Sequence, residues 1–376
     1  MKISARHVLT PEGFLHDRTV HIENGVIMGI GPMEAQADYT CDTCVPGLID
    51  QHVHGGYGAD VMAANAEKIL NWLRFMLKNG TTQVLAGIYT FPVDQMRSAL
   101  KVMREVMDLQ AHGAGGARLT GIHLEGPFIS RNALGAMDEE FILAPTIENY
   151  KMLTEGYEDI IKLVTLAPEE NADELIGYLT KKGVSILAGH TAATVEEGVH
   201  AFEIGVGGIC HFFNASTPIH HRKPGILTEG LLNDNVYCEC IADFVHVHPK
   251  AVELIWRMKG AHRMILVSDD VSTTGLPDGE YIEESGHRVI VKNGESRTPE
   301  GNLNGGSSLS LQDVRNMISI GVPKADAFYM ASQTPASFLH VEGGKIIPGV
   351  RAEILCLDEN NMPLVTILGN EAAKYE

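Results

Sequence analysis

The amino-acid sequence predicts an α/β protein, a TIM (β/α)8 barrel with a small β-sandwich-like module built from both chain ends. Three features lead there. Eight short apolar segments alternate with amphipathic helical stretches, and repeated strand-then-helix units imply parallel strands. Both ends of the chain read instead as strands without helices. Histidines and carboxylates gather where the apolar segments end, and the C-terminal strand ends of a parallel barrel are its active face.

From Lys2 to Cys44 the chain alternates apolar and polar residues between glycine turns, for example over 19–23 and 26–29, the period of short strands. The repeated unit opens with segment 48–53 and continues with 83–88, 119–124, 161–166, 184–188, 207–212, 236–241 and 263–267. Between these, apolar residues recur at three- and four-residue spacing over 66–78, 93–109, 172–181 and 195–204, which predicts helices with one buried face. After the eighth segment, 307–320 and 324–339 read as helices, and 354–357 with 364–367 read as strands that pair with the N-terminal ones. The expected division is residues 1–45 plus 345–376 for the β module and 46–344 for the barrel. An open doubly wound sheet is the alternative, but the chain lacks the glycine-rich phosphate turn after an early strand that such a fold uses.

Composition narrows the function. A formal net charge of -19 opposes binding to nucleic-acid phosphates or an anionic membrane surface. No apolar run reaches the roughly 18 residues that span a bilayer, and no signal peptide is evident, so a cytoplasmic enzyme is expected. The six cysteines do not suggest a disulfide framework. Cys41 and Cys44 form a CxxC without a second pair at zinc-site spacing, and Cys238 and Cys240 share one strand face as small buried thiols. One compact basic cluster stands out, His220-His221-Arg222-Lys223. It reads either as a phosphate site or as a solvated loop.

The strand ends carry the chemistry. His52 and His54 close the first segment as His-Val-His, and alternation puts both imidazoles on one face, within reach of one metal. Glu125 ends the third segment, His190 the fifth, His211 the sixth and Asp269 the eighth. Imidazole mixed with carboxylate suits divalent transition ions, with zinc or iron expected, one or two per chain. Such an ion activates water and polarises a carbonyl, while a neighbouring carboxylate moves the proton to a leaving amine. That is the chemistry of amide hydrolysis. Asp269 is the candidate for the proton, because it ends a strand opposite the other ligands; its neighbour Asp270 is expected to point to the opposite strand face. His123 shares the face of Glu125, as an outer partner of the ligands or as a core residue.

The strings PGLIDQHVHGG (46–56), GIHLEGPF (121–128), LAGHTAAT (187–194), HFFNASTPIHHRKPG (211–225), IADFVHVHP (241–249), LVSDD (266–270), LPDGEY (276–281) and IIPGVRAEILCLD (346–358) occur in the order of a known family. On them the chain resembles N-acetylglucosamine-6-phosphate deacetylases of the amidohydrolase superfamily. The resemblance implies a homodimer that deacetylates a small phosphorylated amino sugar. It implies Glu125, His190 and His211 as main metal ligands, His52 and His54 as ligands of a second ion, and Asp269 as acid/base. It also implies that Asn214 and Ala215 offer backbone donors, that His246 contacts the sugar, and that Arg222 binds phosphate from the neighbouring subunit; His220, His221 and His248 support them. The chain departs from the family at two places. Ala133-Leu134-Gly135-Ala136-Met137 stands where relatives end in a histidine that helps to polarise the acetyl carbonyl, and Met137 cannot donate a hydrogen bond. Ser268-Asp269-Asp270 replaces the family's Thr-Asp-Ala.

Overall fold

The structure, a computed structural model, describes residues 1–283, 286 and 288–375. Eight parallel strands form the barrel sheet: Leu48–Val53, Thr81–Tyr89, Arg118–Glu125, Ile161–Leu166, Ser185–Ala188, Gly208–Ile209, Tyr237–Cys240 and Met264–Leu266. Each pairs with the next in the chain, so the order in space is the order in sequence. Beyond the eighth strand the Asp269 N–H donates to the His52 carbonyl at 2.9 Å and the His54 N–H to the Asp270 carbonyl at 2.8 Å. Those two bonds draw the end of the eighth strand onto the end of the first.

The helices form where the periodicity places them. Ala66–Lys78 buries Ile69, Trp72, Leu73, Met76 and Leu77, the stripe of an amphipathic helix, and the Asn65 side chain caps it by accepting from the Lys68 N–H. Val195–Ile204 begins with a reciprocal capping box between Thr194 and Glu197. The helix predicted over 93–109 runs on to Ala111.

Two expectations shorten or split. The sixth strand is only Gly208–Ile209, because His211 and Phe213 take positive φ and leave the extended region. The helix expected over 324–339 is two, Lys324–Met330 and Gln333–Leu339. Pro335 has no N–H for the Ala331 carbonyl four residues back, and that carbonyl accepts from the Ile49 N–H of the first barrel strand at 2.9 Å instead. The break therefore ties this region to the barrel floor.

Both chain ends join in one seven-stranded sheet. Its order is Glu371–Lys374, Pro363–Leu368, Glu353–Leu357, Tyr39–Pro46, Lys2–Thr10, Gly13–Glu23 and Val26–Pro32. The C-terminal Glu353–Leu357 lies antiparallel to Tyr39–Pro46, with Cys356 opposite Cys44. Ile3, Val8, Val20, Ile27, Ile354 and Ile367 pack into a core of its own. Cys41 and Cys44 are buried free thiols there, and Cys238 and Cys240 are buried free thiols of the barrel.

The sequence reading missed a three-stranded antiparallel sheet, Gly279–Ile282, Arg288–Lys292 and Glu295–Arg297, which lies beside the cavity. Its signal was present: Asn293-Gly294 sits between two strands with φ of 54° and 80°, the positive values a tight hairpin turn requires. No helix among the described residues is long and apolar enough to cross a membrane.

Candidate active site

A cavity of ≈ 850 Å³ opens at the C-terminal ends of the barrel strands, and His54, Glu125, His190, His211 and Asp269 line it. His52 lies directly beneath and is fully buried. Alternation along the first strand does what the His-Val-His spacing predicts: the Nε2 atoms of His52 and His54 are 3.2 Å apart. On the opposite side the Nε2 atoms of His190 and His211 are also 3.2 Å apart. Glu125 joins the two pairs. Its Oε1 is 3.1 Å from His190 Nε2 and 2.9 Å from His211 Nε2, and its Oε2 is 3.2 Å from His54 Nε2. Asp269 Oδ1 lies 3.2 Å from His54 Nε2 and 3.5 Å from His52 Nε2. All six candidate ligands thus converge.

Three of them sit on unusual backbone. His190, His211 and Asp269 have φ of 48°, 22° and 52°, which turns each side chain inward where its strand stops. Such conformations persist only where the surroundings hold them, and they cluster at functional sites. A glycine serves the same packing: a Cβ at Gly87 would stand 2.5 Å from His54 Nδ1.

The ring tautomers decide whether this donor set fits a metal. His54 Nδ1 lies 3.1 Å from the Gly87 carbonyl, His190 Nδ1 lies 3.0 Å from the Ala133 carbonyl, and His52 Nδ1 lies 3.1 Å from Glu239 Oε2. Each of those oxygens only accepts, so the Nδ1 atoms carry the hydrogens and the neutral rings present bare Nε2 lone pairs to one another. Facing lone pairs beside two carboxylates need positive charge between them. A proton is one answer: burial opposes it at His54, but Asp269 and Glu125 outweigh burial and push that ring up to about 9. Divalent ions are the other, and one or two of them would be held by these nitrogens and both carboxylates. The ligand atoms of His52, His54 and Glu125 all lie within 4.8 Å of one another, so the set fits a bound transition ion. Burial would raise the Glu125 carboxyl, yet the His52, His190 and His211 imidazoles hold it well below the usual range. Burial likewise opposes charge on Asp269, and His52 and His54 keep its carboxyl low.

The remaining predicted residues divide. Asn214, Ala215 and His246 line the cavity. The backbone N–H of Asn214 already donates to the His211 carbonyl at 2.9 Å, and its side-chain amide reaches the same carbonyl at 3.2 Å. His246 is held through Nδ1 by Asp243 Oδ2 at 2.8 Å, which leaves Nε2 to act. Arg222 is exposed, outside the cavity lining, with Nη1 2.7 Å from His221 Nε2. Met137, which the resemblance sets where relatives carry a histidine, lines the cavity. His123 packs edge-on against His52 and meets Thr165 Oγ1 at 2.8 Å rather than Glu125. Asp270 is buried away from the cavity as expected, although both aspartates lie beyond the strand end at Leu266 and it is the positive φ of Asp269 that accompanies its inward turn.

Sequence reasoning did not single out Glu239, Tyr89 or Arg288. Tyr89 ends the second strand, packs edge-on to His54 and lines the cavity. Arg288 is the single Lys or Arg among the described lining residues and pairs with Glu280.

An α/β barrel whose C-terminal face gathers four imidazoles and two carboxylates defines the class of metal-dependent hydrolases. The amidohydrolase family's sequence profile matches residues 43–373, and the chain belongs to that family. It is 36% identical to an N-acetylgalactosamine-6-phosphate deacetylase of Escherichia coli O157:H7, over 95% of this chain and 94% of the relative. It is 34% identical to an N-acetylglucosamine-6-phosphate deacetylase of Vibrio furnissii, over 90% and 86% respectively. Among solved structures, a mutant N-acetyl-D-glucosamine-6-phosphate deacetylase of Mycobacterium smegmatis, in complex with N-acetyl-D-glucosamine-6-phosphate, superposes with a TM-score of 0.92 at 27% identity. The match covers 100% of this chain and 99% of that one.

Proposed function

We propose that this chain hydrolyses the N-acetyl group of N-acetylglucosamine 6-phosphate, giving glucosamine 6-phosphate and acetate. The observation that carries the reading is the convergence of His52, His54, Glu125, His190, His211 and Asp269 at one cavity, in a chain whose relatives bear that activity. These six residues would hold one or two divalent transition ions, zinc or iron by donor type. A bound ion supplies an acidified water and a polarised carbonyl.

The chain's own groups do the rest. Asp269, ionised in its imidazole surroundings, takes the proton of the attacking water and passes it to the amide nitrogen as the C–N bond breaks. Water's oxygen ends on acetate and the nitrogen leaves as an amine. His246, oriented by Asp243, offers Nε2 to a sugar hydroxyl. Asn214 and Ala215 border the sugar phosphate; with the Asn214 N–H engaged, the Ala215 backbone is the donor that remains to offer. Arg222 stands outside its own cavity, which supports a homodimer in which it reaches the phosphate held by the neighbouring copy. We place the enzyme in the cytoplasm.

The 36% identical relative favours a second reading, in which the sugar is the galactosamine epimer. Acetate release from both N-acetylhexosamines, each with and without a 6-phosphate, separates the two. The proposal expects the phosphorylated glucosamine compound to give the highest kcat/KM. Preference for the galactosamine compound moves the assignment to the epimer, and preference for unphosphorylated sugars rejects phosphate recognition.

A further inference from the structure

Glu239 is a carboxylate on the seventh barrel strand, flanked by two thiols. Cys238 and Cys240 face one way along Tyr237–Cys240, and alternation sends Glu239 the other, into the barrel, where it is 0% exposed. A buried carboxylate is tolerated when donors occupy its oxygens. Here they do. Gln51 Nε2 donates to Oε1 at 2.7 Å, and Oε2 meets His52 Nδ1 at 3.1 Å and the His211 backbone N–H at 3.3 Å. One side chain therefore joins the ends of the first and sixth strands at the two residues that supply imidazoles to opposite halves of the site.

The bond to His52 differs in kind from those of its neighbours. His54 and His190 rest their Nδ1 atoms on backbone carbonyls, which are neutral acceptors. Glu239 offers a carboxylate oxygen instead. It holds the hydrogen on Nδ1, fixes the ring plane and pushes electron density toward Nε2, the atom that faces His54 and Glu125. Without it, the other partner near Nδ1 is the weakly hydrogen-bonding Cys210 Sγ at 3.5 Å.

We propose that Glu239 is a positioning residue that sets the tautomer and basicity of His52 and ties it to His211, tightening the hold of the site on its ion. This rests on the reading of the cluster as a metal centre. The test is zinc affinity, measured on full-length protein by competition with a chromophoric chelator, together with melting temperature in metal-free and zinc-loaded protein. Glu239→Ala should weaken zinc binding by about 10- to 100-fold and shrink the melting shift that zinc produces. Glu239→Gln, whose amide oxygen can still accept from His52 while Gln51 turns to compensate, should lie between wild type and Glu239→Ala. If Glu239→Ala does not fold, Glu239→Gln carries the comparison against wild type. Zinc affinity within twofold of wild type in the folded variants overturns the proposal, even where melting falls, because that pattern is purely structural. A wild-type protein that binds no zinc overturns the metal-centre reading and this proposal with it.

Discussion

In the proposed reaction Asp269 meets two demands with one carboxylate. It must stay ionised to accept a proton, and it must sit beside the imidazoles that would hold the ion. Its backbone N–H, bonded to the His52 carbonyl at 2.9 Å, fixes the second; His52 and His54, which keep its carboxyl low against burial, secure the first. Asp269→Asn retains shape and removes the proton acceptor, so turnover should fall by about 10²–10⁴-fold with folding intact. Steady-state kinetics with a circular dichroism check reads this, and near wild-type turnover would move the role elsewhere. Residue-level legibility was uneven for a physical reason. Strand ends mark candidates, because a polar residue closing an apolar run of a parallel barrel reaches its active face, and His52, His54, Glu125, His190, His211 and Asp269 could all be read that way. Glu239 sits inside the run Tyr237–Cys240, where a lone acid looks like an outward-facing residue until the barrel closes and shows which face is inside.

Among the elements, the turn after the seventh strand is one whose stability should respond to pH. Asp243 accepts from the backbone N–H groups of Val245 and His246, from the His246 ring and from Ser307 Oγ, each at 2.8 Å. Burial would raise its carboxyl, but those donors, His246 first, pull it down to about 2 from an ordinary 3.8. A depressed carboxylate stabilises the fold above its unfolded pKa and loses that contribution as pH falls toward the folded one, here from about 4 to about 2. The contribution at neutral pH is on the order of 2 kcal/mol. The stability gap between wild type and Asp243→Asn, measured by urea unfolding, should therefore narrow as pH is lowered from 5 toward 3. A constant gap would mean that the ionised form is not what the turn binds. Element reading succeeded where side chains set a clear period, as in the stripe of Ala66–Lys78, and failed where a single backbone group decides. The 324–339 periodicity could not disclose that the Ala331 carbonyl is claimed by Ile49, and the Asn293-Gly294 hairpin was legible but was passed over between longer segments.

At the scale of the molecule, a chain of net charge -19 concentrates Asp60, Glu125, Asp269, Glu283 and Glu300 around one cavity. Arg288 is the one lining residue among those described that carries a fixed positive charge. The proposed sugar phosphate would gain little from such a field, so the proposal needs local positive charge, which Arg222 of a neighbouring copy would offer to the phosphate and an ion in the imidazole cluster would add. The barrel makes this possible by bringing residues 52, 125, 190, 211 and 269, far apart in the chain, to the ends of neighbouring strands. The most direct test is acetate release from N-acetylglucosamine 6-phosphate, followed on one preparation as isolated, after chelation and after re-addition of zinc or iron, with metal content measured at each stage. The account predicts one to two ions per chain at first, loss of turnover as they are removed, and recovery on re-addition. Undiminished acetate release from metal-free protein would contradict it.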